Sequence, residues 1–220
     1  MSLTNISIPT QPMIAETNNR FTMLASDEEV ARAAHALTER GMQAIVVDTP
    51  EEAKEEALKL IPSGSQVFTV SSKTVTQIGL AEVLNETGHY QSVRKILSRL
   101  DRNTQSSEMR KVASSPDIVV GSVQAITQDG VVLDVSMSGS QLPAYASGAD
   151  KVIWIVGAQK IVNDIDEGMR RIYEYCLPLE NQRTMEVYGI PSEVNKILIV
   201  NREAKPDRIT VILVNQNLGF

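Results

Sequence analysis

Apolar positions recur along this chain in two periods, one helical and one extended. Val30, Ala33, Ala34 and Leu37 follow the three-and-four spacing of an amphipathic helix. Ser26 and Glu29 form a capping-box pattern ahead of it, and Gly41 closes it. Ala44 to Val47 then reads as a short strand. Thr49-Pro50 with Glu52 opens a second helix, with proline at the first helical position, where no N–H is needed. That helix ends at Pro62, Ser63-Gly64 turns the chain, and Gln66 to Val70 is the next strand. Helix, strand, helix, strand is the pattern of parallel βα units.

The same alternation continues. Ser71-Ser72-Lys73-Thr74 precedes a helix with Ile78, Ala81 and Leu84 on one face, and residues 88–115 read as two helical pieces. Ile118-Val119-Val120 is an apolar run that stops at Gly121-Ser122. Val152 to Val156 is another that stops at Gly157. Both read as buried strands. Between them Val123–Thr127 and Val131–Val135 flank Asp129-Gly130, a hairpin signal. Leu142 to Ser147 reads as a short helix closed by Gly148. Asn163 or Asp164 caps a helix carrying Ile165, Met169 and Ile172, which Pro178 is expected to end. Lys196–Val200 and Arg208–Val214 are the last two strands, joined across Pro206-Asp207. The predicted fold class is α/β: a mostly parallel central sheet, helices on both faces and an antiparallel hairpin element. Residues 1–25 are expected to form an N-terminal arm and residues 26–220 one domain.

Composition narrows the function classes. The chain has 220 residues, enough to bury roughly 70% of its unfolded surface without a metal or disulfide. The net charge of −6 and the lack of a basic run argue against nucleic acid as a partner. The single cysteine, Cys176, cannot form an internal disulfide and is read as a small packed side chain. His35 lies among alanines and is read as packing, and His89 has no neighbour to share a metal with, so no metal or cofactor is called for. No apolar run approaches 18 residues, which excludes a helical membrane span, and the first twenty residues lack a signal-peptide pattern, so a cytoplasmic address is the expectation.

The candidate site follows from the strand ends. In open α/β sheets, ligands sit outside the carboxyl ends of the strands, where loops present backbone N–H groups. Ser71, Ser72 and Thr74 follow one such end, Gly121 and Ser122 a second, and Gly157 a third, with Lys160 just beyond. The Ser136–Ser140 loop adds Gly139. Lys160 and Arg183 are candidate partners for an anion, so the site suits a small carboxylate or phosphate. There is no Walker loop, no dinucleotide fingerprint, no paired-histidine zinc helix and no Ser-His-Asp triad. Asp129, Asp134, Asp164 and Asp166 could do acid–base work only if burial raised their pKa values. Asp129 and Asp166 are the catalytic candidates.

These motifs, taken in order, resemble the lactate-utilisation (LUD) domain family. The resemblance rests on Gly121-Ser122-Val123-Gln124-Ala125-Ile126-Thr127-Gln128-Asp129-Gly130, Ser138-Gly139, Lys151 to Gly157, Lys160-Ile161-Val162, and then Pro178, Asn181 and Arg183. Ser71 to Thr74 upstream and Arg208–Val214 with Leu218-Gly219-Phe220 downstream extend it over roughly residues 27–220. It implies a fold like that of the CoA-transferases and sugar-phosphate isomerases, and adds Gln124 and Asn181 to the binding residues. It also implies a role beside lactate oxidation, with iron–sulfur or oxidoreductase-like partners.

The sequence departs from the family pattern in several places. Gln124 stands where Asn is usual, Ser140-Gln141 replaces Asn-Arg, Ala158-Gln159 precedes Lys160 where an Asn is common, and no cysteine cluster follows Arg183. A metal or iron–sulfur role of this chain's own is therefore not carried over. The expected function is binding of a small anionic metabolite in lactate or organic-acid metabolism, with a homodimer as the expected assembly. The alternatives are a CoA-transferase- or isomerase-like enzyme and a non-catalytic scaffold.

Overall fold

The computed structural model describes residues 17–220. The arm expected over residues 1–25 therefore lies mostly outside the described residues. What is described of it is a short 3-10 turn, Asn19–Thr22, which buries Phe21 and pairs Arg20 with Glu167.

Six strands form an all-parallel sheet. They are β1 (Gln43–Val47), β2 (Gln66–Thr69), β3 (Gln91–Ser92), β4 (Ile118–Gly121), β7 (Lys151–Gly157) and β10 (Ile209–Val214), in the order β1-β10-β7-β4-β2-β3. The apolar runs of β4, β7 and β10 occupy the centre, where both faces are covered. Alternate side chains therefore enter different cores. Val119, Trp154 and Val211 face one core, with Val30 and Leu37 of α1 (Asp27–Glu39). Ile118, Ile153 and Ile212 face the other, with Ala53 and Ala57 of α2 (Pro50–Lys59) and with Val75 and Leu84 of α3 (Lys73–Gln77) and α4 (Leu80–Glu86). Each such aliphatic side chain contributes about 1.5–3 kcal/mol by leaving water.

Local rules account for the helix starts. Ser26 and Glu29 exchange both capping-box hydrogen bonds, as do Thr49 and Glu52, with Pro50 in the first turn. Two short helices, α5 (Val93–Ser98) and α6 (Ser106–Ser114), carry the chain from β3 to β4.

The hairpin belongs to a sheet of its own. β5 (Ala125–Thr127) and β6 (Val132–Ser136) pair antiparallel, with Gly130 at φ +84° in the turn. β8 (Ile161–Val162) and β9 (Lys196–Val200) complete the order β8-β5-β6-β9. The last two strands thus go to different sheets, β9 to the edge of the small one and β10 to the interior of the large one. The chain passes from β4 to β5 through residues 122–124, and from β7 to β8 through residues 158–160, so both crossings lie at carboxyl ends of the parallel strands.

Two local expectations are corrected. His35 is exposed and sits 3.5 Å from Glu39 on the outer face of α1, because Val30, Ala33 and Leu37 form the face that turns inward. Pro178 does not end its helix. Asp164 caps α7 (Ile165–Arg171), a wide π turn follows over Ile172–Cys176, and α8 (Leu177–Tyr188) continues with Pro178 in its first turn. Proline has no N–H to give the carbonyl four residues back. Here that carbonyl, on Glu174, accepts instead from Asn18 N at 2.9 Å.

Candidate functional site

Lys160 sits in the 3-10 turn Ala158–Lys160 that follows β7 directly, and only 1% of its surface is exposed. Its Nζ is bonded to Thr74 Oγ1 at 3.1 Å and to Ser122 Oγ at 3.0 Å. Thr74 lies in the first turn of α3, beyond β2, and Ser122 follows β4. Three strand ends therefore meet on one amine. Thr74 Oγ1 in turn donates to Leu218 O at 3.2 Å, and Gln159 Nε2 donates to the same carbonyl at 2.9 Å. The C-terminal segment thereby packs over the cluster.

Gly121 and Gly157 hold this region close. A Cβ on Gly121 would overlap the Tyr145 hydroxyl and Val70. One on Gly157 would meet Gln216 O and Leu218 N at 2.7 Å. Tyr145 is buried edge-on against Trp154, with ring centroids 5.3 Å apart, and its hydroxyl donates to Ser122 O at 3.4 Å.

Of the four acids named from sequence, Asp134 is the buried one. It accepts from Gln141 Nε2 at 3.2 Å, and burial pushes its carboxyl up to about 8. Burial, followed by the charge of Arg171, pushes Lys160 down to about 7. Burial, followed by Asp134, raises the Tyr145 phenol. Arg171, on α7, is fully buried. Its Nη1 donates to Gln124 O at 2.6 Å and lies 2.9 Å from Cys176 Sγ, and its Nε donates to Gln159 O at 3.4 Å. Its Nη2 has no hydrogen-bond partner.

Other candidates lie apart from this cluster. Ser72 caps α3 by accepting from Val75 N, and Ser71 is exposed and accepts from Arg94 Nη2. Gln124 enters the cluster through its backbone carbonyl, while its side chain accepts from Val135 N at 2.9 Å. Gly139 packs against the Lys196 side chain at the start of β9. On α8, Asn181 accepts from Ser192 N at 2.7 Å, and Arg183 pairs with Glu180 and stacks over Tyr188. Asp129 and Asp166 are exposed; with Asn163, Asp164 and Ile165 they line a shallow hollow of about 330 Å³. Asp129 is also paired with Arg40 there. A second hollow, about 230 Å³, lies at the amino ends of β7 and β10 beside Asp150 and Arg208. Among the described residues, no group of three or more His, Cys, Asp or Glu is placed to hold a metal.

Sequence reasoning missed Arg171, Gln141, Tyr145 and Gln159. For Arg171 a signal existed. It shares a helical face with Gly168, Ile172 and Tyr175, and a charge inside a buried stripe is anomalous unless something satisfies it.

A six-stranded parallel sheet with helices on both faces, and a smaller mixed sheet entered from its carboxyl ends, defines an α/β protein with its polar cluster at those ends. The LUD domain family matches residues 30–214, so this chain belongs to that family. Among solved structures it is similar to a DUF162 family protein from Deinococcus radiodurans, at 14% identity and a TM-score of 0.54. That likeness covers 88% of this chain and 100% of the other, and it is one of fold. No curated protein matches. No helix among the described residues is long and apolar enough to cross a membrane.

Proposed function

We propose that this LUD-domain protein serves lactate or related organic-acid metabolism by binding a small carboxylate at the Lys160–Ser122–Thr74 cluster. One observation carries the reading: Arg171 is a fully buried guanidinium with one nitrogen unbonded, and no carboxylate lies within ion-pair distance of it among the described residues. Asp134, the buried acid that acts on Lys160, has its own carboxyl pushed by burial up to about 8. A buried cation without a counterion is costly, and an anionic ligand offsets that cost.

Binding is tested by calorimetric titration with lactate and pyruvate at pH 7. Saturable heat with either acid supports the reading, and no heat with any small carboxylate removes it. The metabolic role is tested by deleting the gene: growth and lactate consumption fall if it is right and stay unchanged if it is wrong. Oxidoreductase partners and a cytoplasmic homodimer complete the proposal. They are checked by co-purification from lactate-grown cells, by fractionation and by light scattering, where a monomer mass rules out the dimer.

A further inference from the structure

We infer that Ser122 is a nucleophile for acyl transfer and that Lys160 is its general base, acting on small carboxylic esters or thioesters. This goes beyond carboxylate binding and does not depend on it. An activated nucleophile needs a base within hydrogen-bond reach and a third group that orients the base. Ser122 Oγ lies 3.0 Å from Lys160 Nζ, and Thr74 Oγ1 lies 3.1 Å from the same nitrogen.

The hydrogens can be assigned. Thr74 gives its own to Leu218 O, so toward Lys160 it acts as acceptor and holds the amine in place. With the amine neutral, its lone pair faces Ser122, whose hydroxyl then donates to it. The exposures suit these roles: Lys160 is sealed from water, whereas Ser122 is partly exposed at the end of β4. Burial also disfavours the ammonium form, as does Arg171; Asp134 and Cys176 act in the opposite sense.

The step balances. Ser122 Oγ bonds to the acyl carbon as its proton passes to Lys160 Nζ. The carbon–oxygen or carbon–sulfur bond to the leaving group then breaks, and Lys160 returns the proton to the departing alcohol or thiol. Water attacks the acyl-serine, giving one proton to Lys160. The carboxylic acid leaves, and Ser122 recovers its proton.

The test uses p-nitrophenyl acetate with the full chain. The expected result is a burst of p-nitrophenol with acetyl mapped to the Ser122 peptide by mass spectrometry. Ser122→Ala abolishes that label, and Lys160→Met slows it at least 100-fold while unfolding stays cooperative. The unmodified protein supplies a check independent of folding: the acylation rate climbs with pH and levels off above a midpoint near neutrality. Acetyl found only elsewhere, an unchanged rate in Lys160→Met, or a rate that rises with hydroxide without a plateau overturns the inference. Titration of the unmodified protein with pyruvate reads the binding proposal separately, so either can fail alone.

Discussion

Gly219 lies so close against Thr74 that no side-chain carbon fits between them. The contact lets Leu218 O reach the Thr74 hydroxyl and so sets which way that hydroxyl faces Lys160. Gly219 also has φ +64°, where other residues are strained. Gly219→Ala is therefore expected to cost about 1–3 kcal/mol. Urea unfolding measures this, and a variant as stable as the parent would show that the C-terminal segment does not pack on Thr74.

Asp134 makes stability depend on pH. Its folded-state pKa of about 8 lies above the ordinary carboxyl value of 3.8. Between these values the unfolded chain releases a proton that the folded chain keeps. The native protein consequently loses stability as pH rises through that window, by at most about 1.4 kcal/mol per pH unit. Asp134→Asn carries no such proton, so its stability relative to the parent should climb from pH 4 to pH 8 and then level. The lowered pKa of Lys160 acts in the opposite sense above neutrality and, to first order, is common to both proteins. Denaturant unfolding at several pH values decides it, and a flat difference would mean that Asp134 is hydrated and ionised.

Arg171→Met separates structure from binding. It leaves Gln124 O and Gln159 O without their buried donor, at a cost of about 2–4 kcal/mol in total. If the free nitrogen of Arg171 receives the ligand, pyruvate titration should lose its heat at temperatures where the variant is still folded. Retained affinity would place the carboxylate elsewhere.

The two capping boxes should act independently, because they start different helices. Ser26→Ala and Thr49→Ala are each expected to cost about 1 kcal/mol, and the double variant about 2. Thermal unfolding of the three variants checks both the size and the additivity.

Features that span a few residues were legible in the chain. Ser26, Thr49 and Asp164 cap helices because a hydroxyl or carboxylate there reaches an N–H three residues on, wherever the helix later packs. Asp129-Gly130 turns the hairpin for an equally local reason. The apolar runs ending at Gly121 and Gly157 marked the central strands, since a strand covered on both faces has no polar side to show. The serine and lysine after those ends followed from the same reading.

The pattern was silent wherever a distant segment supplied the missing partner. Pro178 stays inside a helix because Asn18, 160 positions away in the chain, takes the carbonyl that proline leaves free. His35 and Arg171 show the complementary error: one was placed inside and is exposed, while the other was passed over and is buried. Asp134 was passed over in favour of Asp129 and Asp166, because only the Gln141 loop and the small sheet enclose it.

The amino-acid order by itself thus determined the strands, the caps and which residues stand at the strand ends, because these depend on bonds between near neighbours and on a repeating apolar spacing. Only the tertiary structure decided which acid is buried, which arginine keeps one nitrogen unbonded and which serine faces the amine. Desolvation is the sum over everything that surrounds a group, and that sum exists only once both sheets and the C-terminal segment are in place.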